Sequence, residues 1–188
     1  MTPEQFDPVH GSWHNLQCFG CGPDNPYGLG SPFPFDTETG EVHLAHQPRE
    51  HQQGAPGFVH GGILASFLDE AQGALCFHVG YMIMTDQLHL KYHVATPLSR
   101  QFHVRAWITA VRKRRLYTRG TIVSPTGELH VSSSAAFYIL PERLGRKMLA
   151  MEPENARFFA EQLEANRKRA REIRRKLREA KAKARSGA

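Results

Sequence analysis

At 188 residues with 40% hydrophobic content, the chain holds enough apolar material for one well-buried core and is too short for two ordinary domains plus a linker. No stretch approaches the roughly 18 consecutive apolar residues of a membrane span, the opening MTPEQFDPVHGSW lacks the basic and apolar regions of an export signal, and three cysteines are too few for a disulfide framework, so a cytoplasmic protein is expected. The net charge of +6 belongs to an appendage: residues 153–188 carry 12 of the 24 Lys and Arg against 5 Glu, a surplus of +7, and the other 12 basic and 13 acidic residues leave −1 for residues 1–152.

Residues 1–31, rich in Gly, Pro and Asn and without sustained periodicity, read as an ordered N-terminal loop. A short run around Phe33 to Asp36, the turn Glu38-Thr39-Gly40, and Val42 and Leu44 alternating with His43 and Ala45 predict a hairpin. From Gly61 to Val79 apolar residues cover nearly the whole circumference of a helix, which predicts a buried helix. Strict alternation follows: Leu88, Leu90, Tyr92 and Val94 up to Pro97; Phe102, Val104, Ala106 and Ile108; Leu116, Thr118, Gly120 and Ile122 after the Lys113-Arg114 turn; and Leu129 to Ile139 after Ser124-Pro125-Thr126-Gly127. Two short strands, a buried helix and four long antiparallel strands imply an α+β domain over 32–152, its sheet wrapped around a central helix. Beyond Pro153 the chain reads as a basic helical tail.

Asp69 stands out, because a carboxylate in a buried helix is costly unless it is paired, hydrogen-bonded or functional. The bland alternative places Asp69 and Glu70 on a solvent-facing stripe with Ser66 and Gly73. Ahead of the helix, Gly54-Ala55-Pro56-Gly57-Phe58-Val59-His60-Gly61-Gly62 makes a Gly-rich approach to a helix N-terminus, where free N–H groups and the helix dipole favour an anion or a developing oxyanion. An oxyanion donor and a carboxylate base or nucleophile are the two parts an acyl-transfer site requires.

The stretch HGGILASFLDEAQGAL resembles the signature of hotdog-fold thioesterases, the group containing the phenylacetate-pathway and 4-hydroxybenzoyl-CoA enzymes, and the resemblance covers about residues 40–140. It implies hydrolysis of an acyl-CoA or other acyl thioester without a metal or redox cofactor. It also implies a homodimer, or a dimer of dimers, whose sites lie at the subunit interface. The Gly61 N–H, beside Gly62, would polarise the thioester carbonyl, and Asp69 of the opposite subunit would attack it or activate water. A polar residue about seven positions before that glycine would be Gln53 only if the loop shifts by one, since Gly54 occupies the position. Thr85 aligns with a hydroxyl that orients water, and His60 fits fixing the loop better than proton transfer.

Cys18 and Cys21 with His14 offer zinc-type ligands, but no second Cys pair completes a closed site, so a packed loop is expected. His89 and His93 share a strand face yet stand ~13 Å apart, too far for one metal. Arg112, Lys113, Arg114 and Arg115 crowd a hairpin turn, a solvated cluster by default and a candidate site for the phosphates of coenzyme A. In the tail, Phe159, Leu163, Asn166, Ala170, Ile173, Leu177 and Ala180 follow a weak coiled-coil spacing. A solvated helix is the default there, with a dimer mate, an acidic partner, a membrane surface or nucleic acid as alternatives. Two competing functions stay open: a hydratase, disfavoured because no His follows Asn25-Pro26, and a non-catalytic acyl-CoA-binding or regulatory module whose tail contacts nucleic acid or a partner.

Overall fold

The computed structural model describes residues 17–148 and 153–186; His14 lies outside them. A short antiparallel pair comes first, β1 (Phe35–Asp36) and β2 (Glu41–His46), closed by a turn in which the Asp36 carboxylate accepts from the Glu38 N–H and the Thr39 hydroxyl. A single 3-10 turn and a loop lead to helix α1 (Gly61–His78). Four longer strands follow, β3 (Ile83–Tyr92), β4 (Phe102–Arg112), β5 (Arg115–Val123) and β6 (Leu129–Ile139), then α2 (Glu142–Met148) and α3 (Pro153–Ser186). The strands make one antiparallel sheet in the order β1-β2-β4-β5-β6-β3, with α1 across one face.

Period-two alternation sends Val42, Leu44, Phe102, Val104, Ala106, Ile122 and Val131 into one core with Leu64, Phe67, Leu68, Ala71 and Leu75 of α1. Each fully buried side chain of this kind stabilises the fold by roughly 1.5–3 kcal/mol. Gln72 is wholly buried in the same helix. It donates to Leu68 O (2.8 Å) and Ser133 Oγ (2.9 Å) and accepts from Thr118 Oγ1 (2.7 Å), so helix and sheet are joined by a satisfied polar bridge.

The helix is not covered on every side. Ala65, Ser66, Asp69, Glu70 and Gly73 remain half-exposed, because one sheet reaches only part of the circumference of α1. This is the stripe that the bland reading of Asp69 anticipated.

Among the described residues, strand β3 lies at the sheet edge and pairs only with β6, and its register shifts between Thr85 and Gln87. The extra residue, Asp86, changes the facing of everything before it. Thr85 and Leu88 are three residues apart and would point to opposite faces of a regular strand. With the bulge, Thr85 pairs Phe137 and Leu88 pairs Ala135, so both face α1.

The tail departs from the solvated helix expected for it. Phe159, Leu163, Asn166, Ala170 and Ile173 are buried, and their seam faces this domain: Phe159 stacks on Phe77 with ring centroids 5.5 Å apart. Asn166 Nδ2 and Arg167 Nε donate to the carbonyls of Phe77 and Gly80, which satisfies the end of α1. Gly80, at φ +86°, accepts the approach of α3, since a Cβ there would lie 2.6 Å from Leu163 O. The spacing was legible, but its partner was not.

Candidate active site

Residue His60 ends the approach loop in an extended conformation and caps α1, its Nδ1 accepting from the Gly62 N–H at 3.0 Å. The imidazole thereby holds the helix start, and Gly62 spends its N–H on that cap. The Gly61 N–H has no acceptor among the described residues, and the Gly61 carbonyl accepts from the Tyr92 hydroxyl at 2.8 Å. Tyr92 escaped notice as a site residue because its alternation marked it only as a strand residue.

The approach loop is pinned from several sides. Gln53 Oε1 accepts from Gly57 N (2.9 Å), His60 N donates to Gln52 O (2.8 Å), and Val59 N donates to Thr96 O (2.9 Å). The side-chain oxygen of Gln53 therefore shapes the loop. Its neighbour Gln52 is buried and accepts from Arg49 N, with His46 Nε2 also 3.0 Å from its Oε1.

Two turns along α1, Asp69 meets Thr85, whose Oγ1 donates to Asp69 Oδ1 at 3.0 Å. Burial raises the Asp69 carboxyl above the ordinary aspartate value, and the Thr85 hydrogen bond pulls it partly back. The two residues named from sequence are thus brought together. Gly61 is not: eight residues of helix separate it from Asp69 by ~12 Å, too far for one carbonyl group to touch both.

The basic turn lies near the Ile83 end of β3. Arg115 pairs with Asp86 at 2.7 Å, and the Arg114 guanidinium lies 5.2 Å from the Tyr138 ring centre. Arg112 and Lys113 are exposed at the same turn, with Lys113 at φ 55°. His89 and His93 are exposed, with His93 Nε2 2.8 Å from Ser132 Oγ.

One cluster lies beside this site. Cys18, Cys21 and Glu70 bring two sulfurs and a carboxylate oxygen within 4.8 Å of one another. The Cys21 thiol is pushed up, first by its hydrogen bond with Cys18 and then by burial.

Residues 56–130 match the model of the thioesterase superfamily. Over these residues the chain is similar to that superfamily. Its fold is the hotdog fold, a sheet curled against one central helix. The acyl-coenzyme A thioesterase THEM4 of Rattus norvegicus is 35% identical over 88 residues, 46% of this chain and 38% of that protein. THEM4 of Xenopus laevis is 29% identical over 92 residues, 48% and 41% of the two chains. The chain thus spans about two fifths of the length of these curated relatives. A solved structure described as a thioesterase superfamily protein is 29% identical, with a TM-score of 0.59, covering 71% of this chain and 63% of that one. A hypothetical thioesterase of Streptococcus pneumoniae, solved with coenzyme A, is similar in fold at 16% identity and a TM-score of 0.53, over 55% of this chain and 84% of that one.

Proposed function

We propose that this chain hydrolyses acyl-coenzyme A thioesters to a free acid and a thiol. The observation that carries the reading is Asp69, a carboxylate raised by burial, hydrogen-bonded by Thr85 and set on the half-exposed stripe of α1. The acyl-coenzyme A thioesterases among its relatives support the substrate class.

The separation of Gly61 from Asp69 points to a homodimer. Tyr92, at one end of β3, is bonded to Gly61; Thr85, near the other end, is bonded to Asp69. Pairing the free edge of β3 antiparallel with its copy brings the Tyr92 end of one strand to the Ile83 end of the other. The Gly61 N–H of one subunit then faces Asp69 of its mate. The thioester oxygen accepts from that N–H, and Asp69 attacks the carbonyl carbon or takes a proton from the attacking water. The bond to sulfur breaks, and the thiolate leaves and is protonated; where Asp69 is the nucleophile, water then hydrolyses the acyl–Asp69 anhydride to the free acid and restores the carboxylate. Arg112 and Lys113, beyond the same end of β3, are placed to meet the phosphates of the coenzyme, the third element of the reading.

The test is thiol release from a panel of acyl-coenzyme A substrates by wild type, Asp69→Asn and Gly61→Val, with circular dichroism as a check on folding. Both variants are expected to lose turnover separately. Mixing them under subunit exchange restores roughly a quarter of the wild-type rate, because half the dimers are mixed and each mixed dimer has one intact site. An Asp69→Asn protein with wild-type turnover would overturn the chemistry. A mixture as inactive as its parents would overturn the shared site.

A further inference from the structure

Two elements distant in sequence bring three metal-ligating side chains together next to Asp69. The loop before β1 supplies Cys18 and Cys21, and α1 supplies Glu70, all half-buried, with their ligand atoms within 4.8 Å of one another. Ligands around a tetrahedral zinc ion stand about 3.5–4 Å apart, so a contraction of roughly 1 Å would close the set around an ion.

The loop is built for this convergence. Gly22 N donates to Cys18 O at 2.9 Å, which folds the Cys-x-x-Cys segment into a turn around its two sulfurs. Gly20, inside that turn, leaves the space the carboxylate occupies: a Cβ there would lie 1.9 Å from Glu70 Cδ. Leu29 N donates to Phe19 O at 2.8 Å, and the buried Leu29 side chain anchors the loop in the main core.

We propose that Cys18, Cys21 and Glu70 bind a thiophilic divalent cation, zinc by the chemistry of the donor set. Two thiolates favour a soft or borderline ion, and the carboxylate favours zinc over copper(I). On binding, both thiols release their protons to solvent, and one further ligand completes the tetrahedron. The ion ties the N-terminal loop to α1 at the residue following Asp69, giving this half-exposed stretch of helix a fixed cover. The sequence left the site one ligand short because Glu70 lies 49 positions beyond Cys21. This reading is independent of the proposed hydrolysis.

The experiment uses the 188-residue chain, reduced and stripped with a chelator. Zinc is titrated against a chromophoric competing chelator, and cobalt(II) is titrated by absorbance. One equivalent of each is expected to bind, with cobalt showing tetrahedral and thiolate charge-transfer bands. Cys21→Ser should weaken zinc binding by at least ~100-fold, beyond the usual cost of losing a group behind a ligand. Glu70→Gln should weaken it less and keep the thiolate band. Equal affinity of the wild type and of Cys18→Ser or Cys21→Ser, at an unchanged circular dichroism spectrum, would overturn the site. So would a cobalt complex without thiolate bands, or reduced wild type that retains no zinc against the competitor.

Discussion

The hydroxyl of Thr85 donates a 3.0 Å hydrogen bond to Asp69 Oδ1, joining the edge strand to a carboxylate whose pKa is raised chiefly by burial. The bond favours the ionised form, so removing it must raise the carboxyl further. In Thr85→Val the acid limb of the kcat/KM profile should move to higher pH, with a loss of about tenfold at pH values within that limb. An acid limb at the wild-type position would show that the titrating group is not Asp69.

Gln72 predicts a different pattern, because it touches Thr118 and Ser133 and no candidate site residue. Gln72→Leu keeps the volume, strands the Thr118 hydroxyl in the core and leaves Ser133 Oγ only its 3.3 Å bond to Gly120 O. Stability should fall by about 1–3 kcal/mol in chemical denaturation, and the denaturant slope should stay unchanged. No loss of stability would mean that the bridge contributes nothing net.

Removing the ring of Phe159 leaves Phe77, Met82, Leu140 and Leu163 around a void. Phe159→Ala should cost about 3 kcal/mol and lower the melting temperature. If α3 were a solvated appendage, the same substitution would leave melting unchanged.

His78 is buried against Phe35 and is pushed down to about 4, mainly by burial, from 6.5. The unfolded chain takes up this proton first as pH falls. Stability should therefore be fully present above pH 6.5 and decline progressively between 6.5 and about 4. His46, also lowered mainly by burial, adds to the same trend. Asp69 opposes it, since a raised carboxyl stabilises the protein at low pH and loses that contribution as pH rises through its folded value. His78→Phe should flatten the dependence of melting temperature on pH across this window; an unchanged dependence would assign the effect to other groups.

Much of this fold could be read from periodicity alone. The apolar positions from Ile63 to Val79, and the alternation from Leu88 to Ile139, report directly which faces are buried. What escaped depends on contacts that sequence spacing does not encode. The Asp86 bulge lies inside an otherwise regular strand, and without it Thr85 reads as facing away from Leu88. The seam from Phe159 to Ile173 was visible, but spacing cannot say whether its partner is a second helix or the end of α1. Glu70 looked like a surface residue because the loop above it begins some 50 residues earlier.

The bulge in β3 absorbs one extra residue, Asp86, without turning Thr85 out of the face it shares with Leu88. Deleting Asp86 would restore a regular strand in which Thr85 and Leu88, then two residues apart, still share the face toward α1. What the deletion would take away is the ion pair of Asp86 with Arg115. Removing Asp86 should therefore spare the Thr85–Asp69 hydrogen bond, and a deletion variant that lost thiol release would show that the bulge itself shapes the site.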